Sequence, residues 1–153
     1  MFVWRICASK YQESAFSGMG GLYVSGRWHP QGYKIIYTAE SLALASLEIF
    51  VHLESSNVSL VAIKAWLSNE LEIAEIKPEQ LPNNWQDTSA YSTLQKIDQD
   101  WLTSCETPIL KVPSSIVPVE YNYLLNPEHP DFKVVLEPPI KFEFDNRMWK
   151  YID

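Results

Sequence analysis

The run from Glu40 to Glu54, ESLALASLEIFVHLE, constrains this chain more than any other segment. Its alanines and leucines favour a helix. Leu44, Ala45, Leu47, Ile49, Val51 and Leu53 set apolar side chains on nearly every side of it. Such a helix is stable only when buried, so the rest of the chain must enclose it. Thr38 is the expected N-cap, with Glu40 suited to the positive end. Glu48 stands in the middle. A carboxylate among apolar neighbours costs free energy unless it is paired. On helical spacing it shares a face with Leu44, Ala45, Val51 and His52, and His52 at i+4 is a candidate partner. An ion pair or a solvated face would make Glu48 structural; a cleft would make it functional.

The flanking segments read as strands, turns and one further helix. Phe2–Ala8, Lys34–Thr38, Ser59–Leu67, Leu71–Ile76 and Pro108–Pro113 have strand composition, and VVLEPPIKFEF carries the last strands. SGMGG (Ser17–Gly21) is a flexible turn, while GRWHPQG (Gly26–Gly32) and Pro78–Trp85 are loops. NPEHPDF (Asn126–Phe132) is a rigid turn. Ser92 and Gln95 match a capping box that opens a helix through Trp101. Strands and helices do not alternate regularly. The expected class is therefore α+β: one domain over residues 1–153, with a mixed or antiparallel sheet and flanking helices.

Composition excludes several functions. The net charge of −7 argues against direct nucleic-acid binding. Cys7 and Cys105 form no CxxC pair, so neither a zinc ribbon nor a disulfide scaffold is expected. No apolar stretch reaches the ~18 residues of a membrane span. The N-terminus sets Arg5 inside its only apolar run and lacks a signal-peptide core, so a cytoplasmic location is expected. His29, His52 and His129 lack metal-ligand spacing, and no metal site is expected. SGMGG has no following Lys, and no GxSxG elbow is present.

Three further features carry chemistry. Arg27, in its glycine-flanked loop, is either an exposed loop arginine or a fork for phosphate or carboxylate. Arg5, inside an apolar strand beside Trp4, must snorkel, stack on an aromatic or reach into a cleft. Ser114 and Ser115 lie between Pro113 and Pro118, where a serine either makes turn hydrogen bonds or positions a ligand. Aromatic residues are 13% of the chain, enough for a core and for a pocket that stacks on a flat ring. The set suits an anionic ligand with a flat ring and names no reaction.

Taken in order, GRWHPQG (26–32), IIYTAESLALASLEIFVH (35–52), LPNNW (81–85), LKVPSSIVPVEYNYLLNPEHPDF (110–132) and FEFDNR (142–147) resemble the RES domain family. The family takes its name from an Arg, a Glu and a Ser, which correspond here to Arg27, Glu48 and Ser114. The resemblance implies an ADP-ribosyltransferase-like fold and the toxin role in a bacterial type II toxin–antitoxin pair. It implies NAD as substrate with no separate cofactor, and an Xre-like helix-turn-helix antitoxin that covers the active site. In that frame Glu48 stabilises the positive charge that develops on ribose as nicotinamide leaves. Arg27 and Arg5 clamp the pyrophosphate, Tyr37 stacks on nicotinamide, and His52 lines the substrate site. Ser114 holds the ribose or positions Glu48. The acceptor is water, phosphate or a protein side chain. A transferase acting on one host protein and a purely binding RES-like module are the alternatives.

Overall fold

The computed structural model describes residues 1–150, so the last three residues of the expected domain lie outside the described residues. Eight strands form one sheet. They are β1 (Phe2–Ala8), β2 (Ile36–Ala39), β3 (Leu60–Leu67), β4 (Ile73–Glu75), β5 (Ile109–Pro113), β6 (Tyr121–Leu125), β7 (Val134–Leu136) and β8 (Ile140–Phe142). Their order is β4-β5-β6-β2-β1-β3-β7, with β8 also on β3. Among the described residues only β4 and β5 run parallel, so the sheet is mixed, as expected for the α+β class.

β1 and β3 pair from Phe2↔Trp66 to Ala8↔Leu60. β6 pairs with β2 from Ile36↔Leu125 to Ala39↔Asn122, and with β5 along its other edge. Between these two halves β1 and β2 meet at a single register pair, Trp4↔Ala39. The halves therefore part company just beyond that pair.

The apolar run became α2 (Leu42–Phe50), shorter at both ends than its composition suggests. Thr38 is not its cap. It belongs to β2 and donates its hydroxyl to the Tyr123 carbonyl at 2.7 Å. Ser41 caps instead, its Oγ accepting from the Leu44 amide at 3.0 Å. Glu40 precedes the helix and accepts from the Tyr121 amide. Leu44 and Ala45 pack on Ile6, Ala39, Leu60 and Ala62, which confirms a buried helix face.

A short α1 (Gly20–Tyr23) follows the Ser17–Gly18 turn, and Gly18 takes the left-handed φ of 75°. α3 (Tyr91–Ser104) packs Leu94 and Trp101 against Trp28, Trp85, Leu110, Val112 and Leu124. The Ser92–Gln95 capping box does not form. Ala90 is the N-cap, Ser92 is inside the helix, and Gln95 reaches the Gly26 carbonyl at 2.8 Å. A tertiary acceptor thus draws the Gln95 side chain away from the start of the helix. Among the described residues no helix is long and apolar enough to cross a membrane.

α1 sits tightly against the following loop. A Cβ on Gly21 would collide with the Tyr33 carbonyl and lie 2.9 Å from Ile35 Cγ2, whereas a Cβ on Gly20 would meet nothing within 4 Å. Backbone cannot yield as a flexible side chain can. We expect Gly21→Ala to lose about 1–3 kcal/mol of stability by overcrowding and Gly20→Ala to be neutral or slightly stabilising. Thermal melts of the two variants check this pair.

Candidate active site

Glu48, partly exposed on α2, has one carboxylate oxygen held from two sides. Ser114 Oγ donates to Oε1 at 2.7 Å, and Asn122 Nδ2 donates to the same oxygen at 2.7 Å. Ser114 is fully buried at the end of β5. Its own oxygen accepts from the amides of Ile116 and Val117, each at 3.1 Å. With both lone pairs engaged, its proton is directed to Glu48. Pro113 and Pro118 frame this turn, and the Ser114 amide closes it on the Glu120 carbonyl at 2.9 Å. Ser115 offers only its carbonyl, to Gln86. Of the two serines, Ser114 is the one that meets Glu48.

Asn122 was not singled out from the sequence. A signal exists: in YNYLL it alternates with Leu124, so strand periodicity sends it to the same buried side. A buried amide there must find a partner.

Arg27 lies partly exposed in the Gly26–Gly32 loop. It donates to the Trp85 carbonyl at 2.9 Å, and its guanidinium sits 4.8 Å from the Tyr91 ring centre. This contact ties the loop to the start of α3 while leaving other N–H groups of the fork for an anion. Next to it, the Tyr37 hydroxyl donates to His29 Nδ1 at 2.7 Å and accepts from the Trp28 amide at 3.3 Å. His29 Nε2 donates to the Val24 carbonyl at 2.8 Å. These partners define a neutral imidazole, and burial lowers its pKa. Burial also pushes the Tyr37 hydroxyl well up. A Cβ on Gly26 would stand 2.8 Å from that hydroxyl, so glycine lets the backbone approach the pair.

The other two candidates lie apart from Glu48. Arg5 leaves β1 on the side of Val3 and Cys7, opposite the face that α2 covers. It donates to the Tyr37 carbonyl at 2.9 Å, across the gap where β1 and β2 separate. Its Nε is buried without a partner, and burial lowers its pKa. His52 does not pair with Glu48. The helix ends at Phe50, so Val51 and His52 leave its face and are exposed. Ser114 and Asn122 supply the hydrogen bonds expected of His52. A cavity of about 490 Å³ beside Leu53, Asn57, Phe142, Phe144 and Trp149 includes none of the six candidates. Among the described residues no group of three or more His, Cys, Asp and Glu could hold a metal ion.

The model of the RES domain matches residues 2–146. A protein named Toxin Res from Yersinia enterocolitica is 36% identical over 151 residues, covering 97% of this chain and 99% of that protein. Another Toxin Res, from Photorhabdus laumondii, is 35% identical and covers 98% of each. A Prs ADP-ribosylating toxin from Sphingobium sp. is 38% identical over 95% of this chain and 94% of that protein. A chain in the crystal structure of the M. tuberculosis MbcT–MbcA toxin–antitoxin complex has the same fold. Its TM-score is 0.77 at 14% identity, covering 93% of this chain and 84% of that one. The chain belongs to the RES domain family.

One carboxylate behind this site went unnoticed in the sequence. Asp98 lies on the apolar stripe of α3 between Leu94 and Trp101, fully buried, with both oxygens lacking a hydrogen-bond partner. Burial raises its pKa from 3.8 to about 8. The folded state therefore holds a proton that the unfolded chain releases above pH 3.8. Its favourable contribution is complete below that pH and is lost as pH rises toward 8. Asp98→Asn keeps the shape without the charge. We expect it to melt above the wild type at pH 9, with the advantage shrinking toward pH 5. Melting curves across that range test the sign.

Proposed function

We propose that this chain is the toxin of a bacterial toxin–antitoxin pair and consumes NAD by breaking the nicotinamide–ribose bond. The observation that carries the reading is the two-donor seat of Glu48: one oxygen is fixed by Ser114 and Asn122, and no donor among the described residues takes the other. Departure of nicotinamide builds positive charge on the ribose. A carboxylate held in one orientation stabilises that oxocarbenium-like state without reorganising when it forms.

The roles of the other residues follow from their contacts. Arg27, already aligned over Tyr91, is the group for the pyrophosphate, and holding that anion orients the ribose toward Glu48. Ser114 is a positioning residue, because it is buried and its proton is committed to Glu48. Tyr37, its hydroxyl secured by His29, presents a ring fixed in place for stacking on nicotinamide. Nicotinamide leaves as a neutral ring, so the site needs no strong general acid. NAD is the substrate, with no further cofactor.

A second reading has specific support. The Sphingobium relative is named an ADP-ribosylating toxin, so a protein side chain is an acceptor to weigh beside water and phosphate. The partner in this proposal is an Xre-like helix-turn-helix antitoxin that covers the site. A net charge of −7 suits a division in which that partner meets DNA and this chain acts in the cytoplasm on NAD.

Nicotinamide release tests the proposal. The chain, freed of antitoxin, is incubated with NAD beside Glu48→Gln, with and without phosphate and cell lysate. The wild type is expected to release nicotinamide at least ~100-fold faster than the variant, as for loss of a charge-stabilising group. Free ADP-ribose, its phosphate or a labelled protein band identifies the acceptor. Equal rates for both proteins under every condition would remove NAD cleavage from consideration.

A further inference from the structure

We infer that Asn122 is the positioning residue that, with Ser114, selects which oxygen of Glu48 works. For the reaction this rests on the proposed NAD cleavage; for the geometry it stands alone. A carboxylate only accepts hydrogen bonds, so the Asn122 amide must turn its N–H toward Glu48. Its Oδ1 then points into the protein, buried and without a partner. Packing alone does not favour an amide here. On the same strand Leu124 is fully buried, and the register neighbours of Asn122 are Ala39 on β2 and Val112 on β5. An amide with an unsatisfied oxygen is a poor choice among such residues unless its N–H is needed.

The placement gives that N–H a specific effect. Ser114 and Asn122 come from different elements, the turn just after β5 and the second residue of β6, and both reach Oε1 at 2.7 Å. Two donors on one oxygen stop the carboxylate from rotating about its last bond. Oε1 becomes the anchored oxygen and Oε2 the one that faces the developing ribose charge. With Ser114 alone, the carboxylate can swing about a single contact and its charge spreads over several directions. β6 is paired along both edges, so the amide is mounted on an interior strand of the sheet.

Two substitutions test this, with melting curves to confirm folding. Asn122→Ala removes the donor without adding charge. Asn122→Asp keeps the shape and sets a second carboxyl against Oε1. We expect kcat for nicotinamide release to fall roughly ten- to a hundredfold in Asn122→Ala, the range for losing a hydrogen bond to a charged group. It should fall further in Asn122→Asp. KM for NAD should stay within about threefold in Asn122→Ala, because the loss is felt in the transition state. A merely structural amide would instead lower the melting temperature and leave kcat of the folded fraction unchanged. Crystal structures of the wild type and Asn122→Ala supply a readout independent of NAD. The Glu48 carboxylate should leave its wild-type position while β6 stays in place. A folded Asn122→Ala protein with wild-type kcat, or with Glu48 unmoved, overturns the inference. If the wild type itself cleaves no NAD under any acceptor, the proposed reaction fails, and the position of Glu48 in the two crystals alone decides the role of Asn122.

Discussion

The Oε1 oxygen of Glu48 is the point on which the site converges. It joins α2 to the Pro113–Pro118 turn through Ser114 and to β6 through Asn122. Those elements meet only because β6 is in register with β2 and α2 lies on the same side of the sheet. A one-residue slip of β6 would turn Asn122 to the opposite face and send Tyr121 or Tyr123 toward Glu48 instead. The turn geometry is equally specific. Ser114 can direct its proton to the carboxylate because two backbone amides occupy its oxygen.

Around that point the fold distributes polar groups by depth. Arg27 stays at the surface of its loop, tied to Trp85 and Tyr91, where a charged fork costs little. Arg5 sits in the gap between β1 and β2 with one nitrogen unpartnered, and Asp98 is fully buried on α3 with neither of its oxygens bonded. Both carry a desolvation cost that the surrounding core must offset. His29 avoids the same cost by remaining neutral between Tyr37 and Val24.

Much of the architecture was legible because local patterns dominate there. The β1, β3 and β5 segments follow their apolar runs closely, and the apolar run of α2 buries one face, at Leu44 and Ala45, while its other sides stay partly exposed. Ends and caps were less legible. Thr38 and Ser41 both suit a cap, and β2 pairing with β6 claims the first. Ser92 and Gln95 have cap spacing, yet Gln95 finds Gly26 across the molecule. His52 has the right i+4 offset from Glu48, but the helix ends before that offset applies. Asn122 and Asp98 had faint signals, each a polar residue on an apolar stripe, drowned by the more conspicuous charged residues.

The amino-acid order by itself determined the α+β class, a helix with a buried apolar face and one carboxylate, a glycine-flanked arginine loop and a proline-framed serine turn. These depend on propensity, periodicity and turn chemistry, which act within a few residues. Only the tertiary structure decided what Glu48 touches. Its two donors lie 66 and 74 residues away, and contacts over such separations depend on strand register and on which side of the sheet a helix packs. Arg5 is kept from the α2 face by the side of the sheet on which that helix packs, whereas His52 leaves its carboxylate because the helix ends at Phe50.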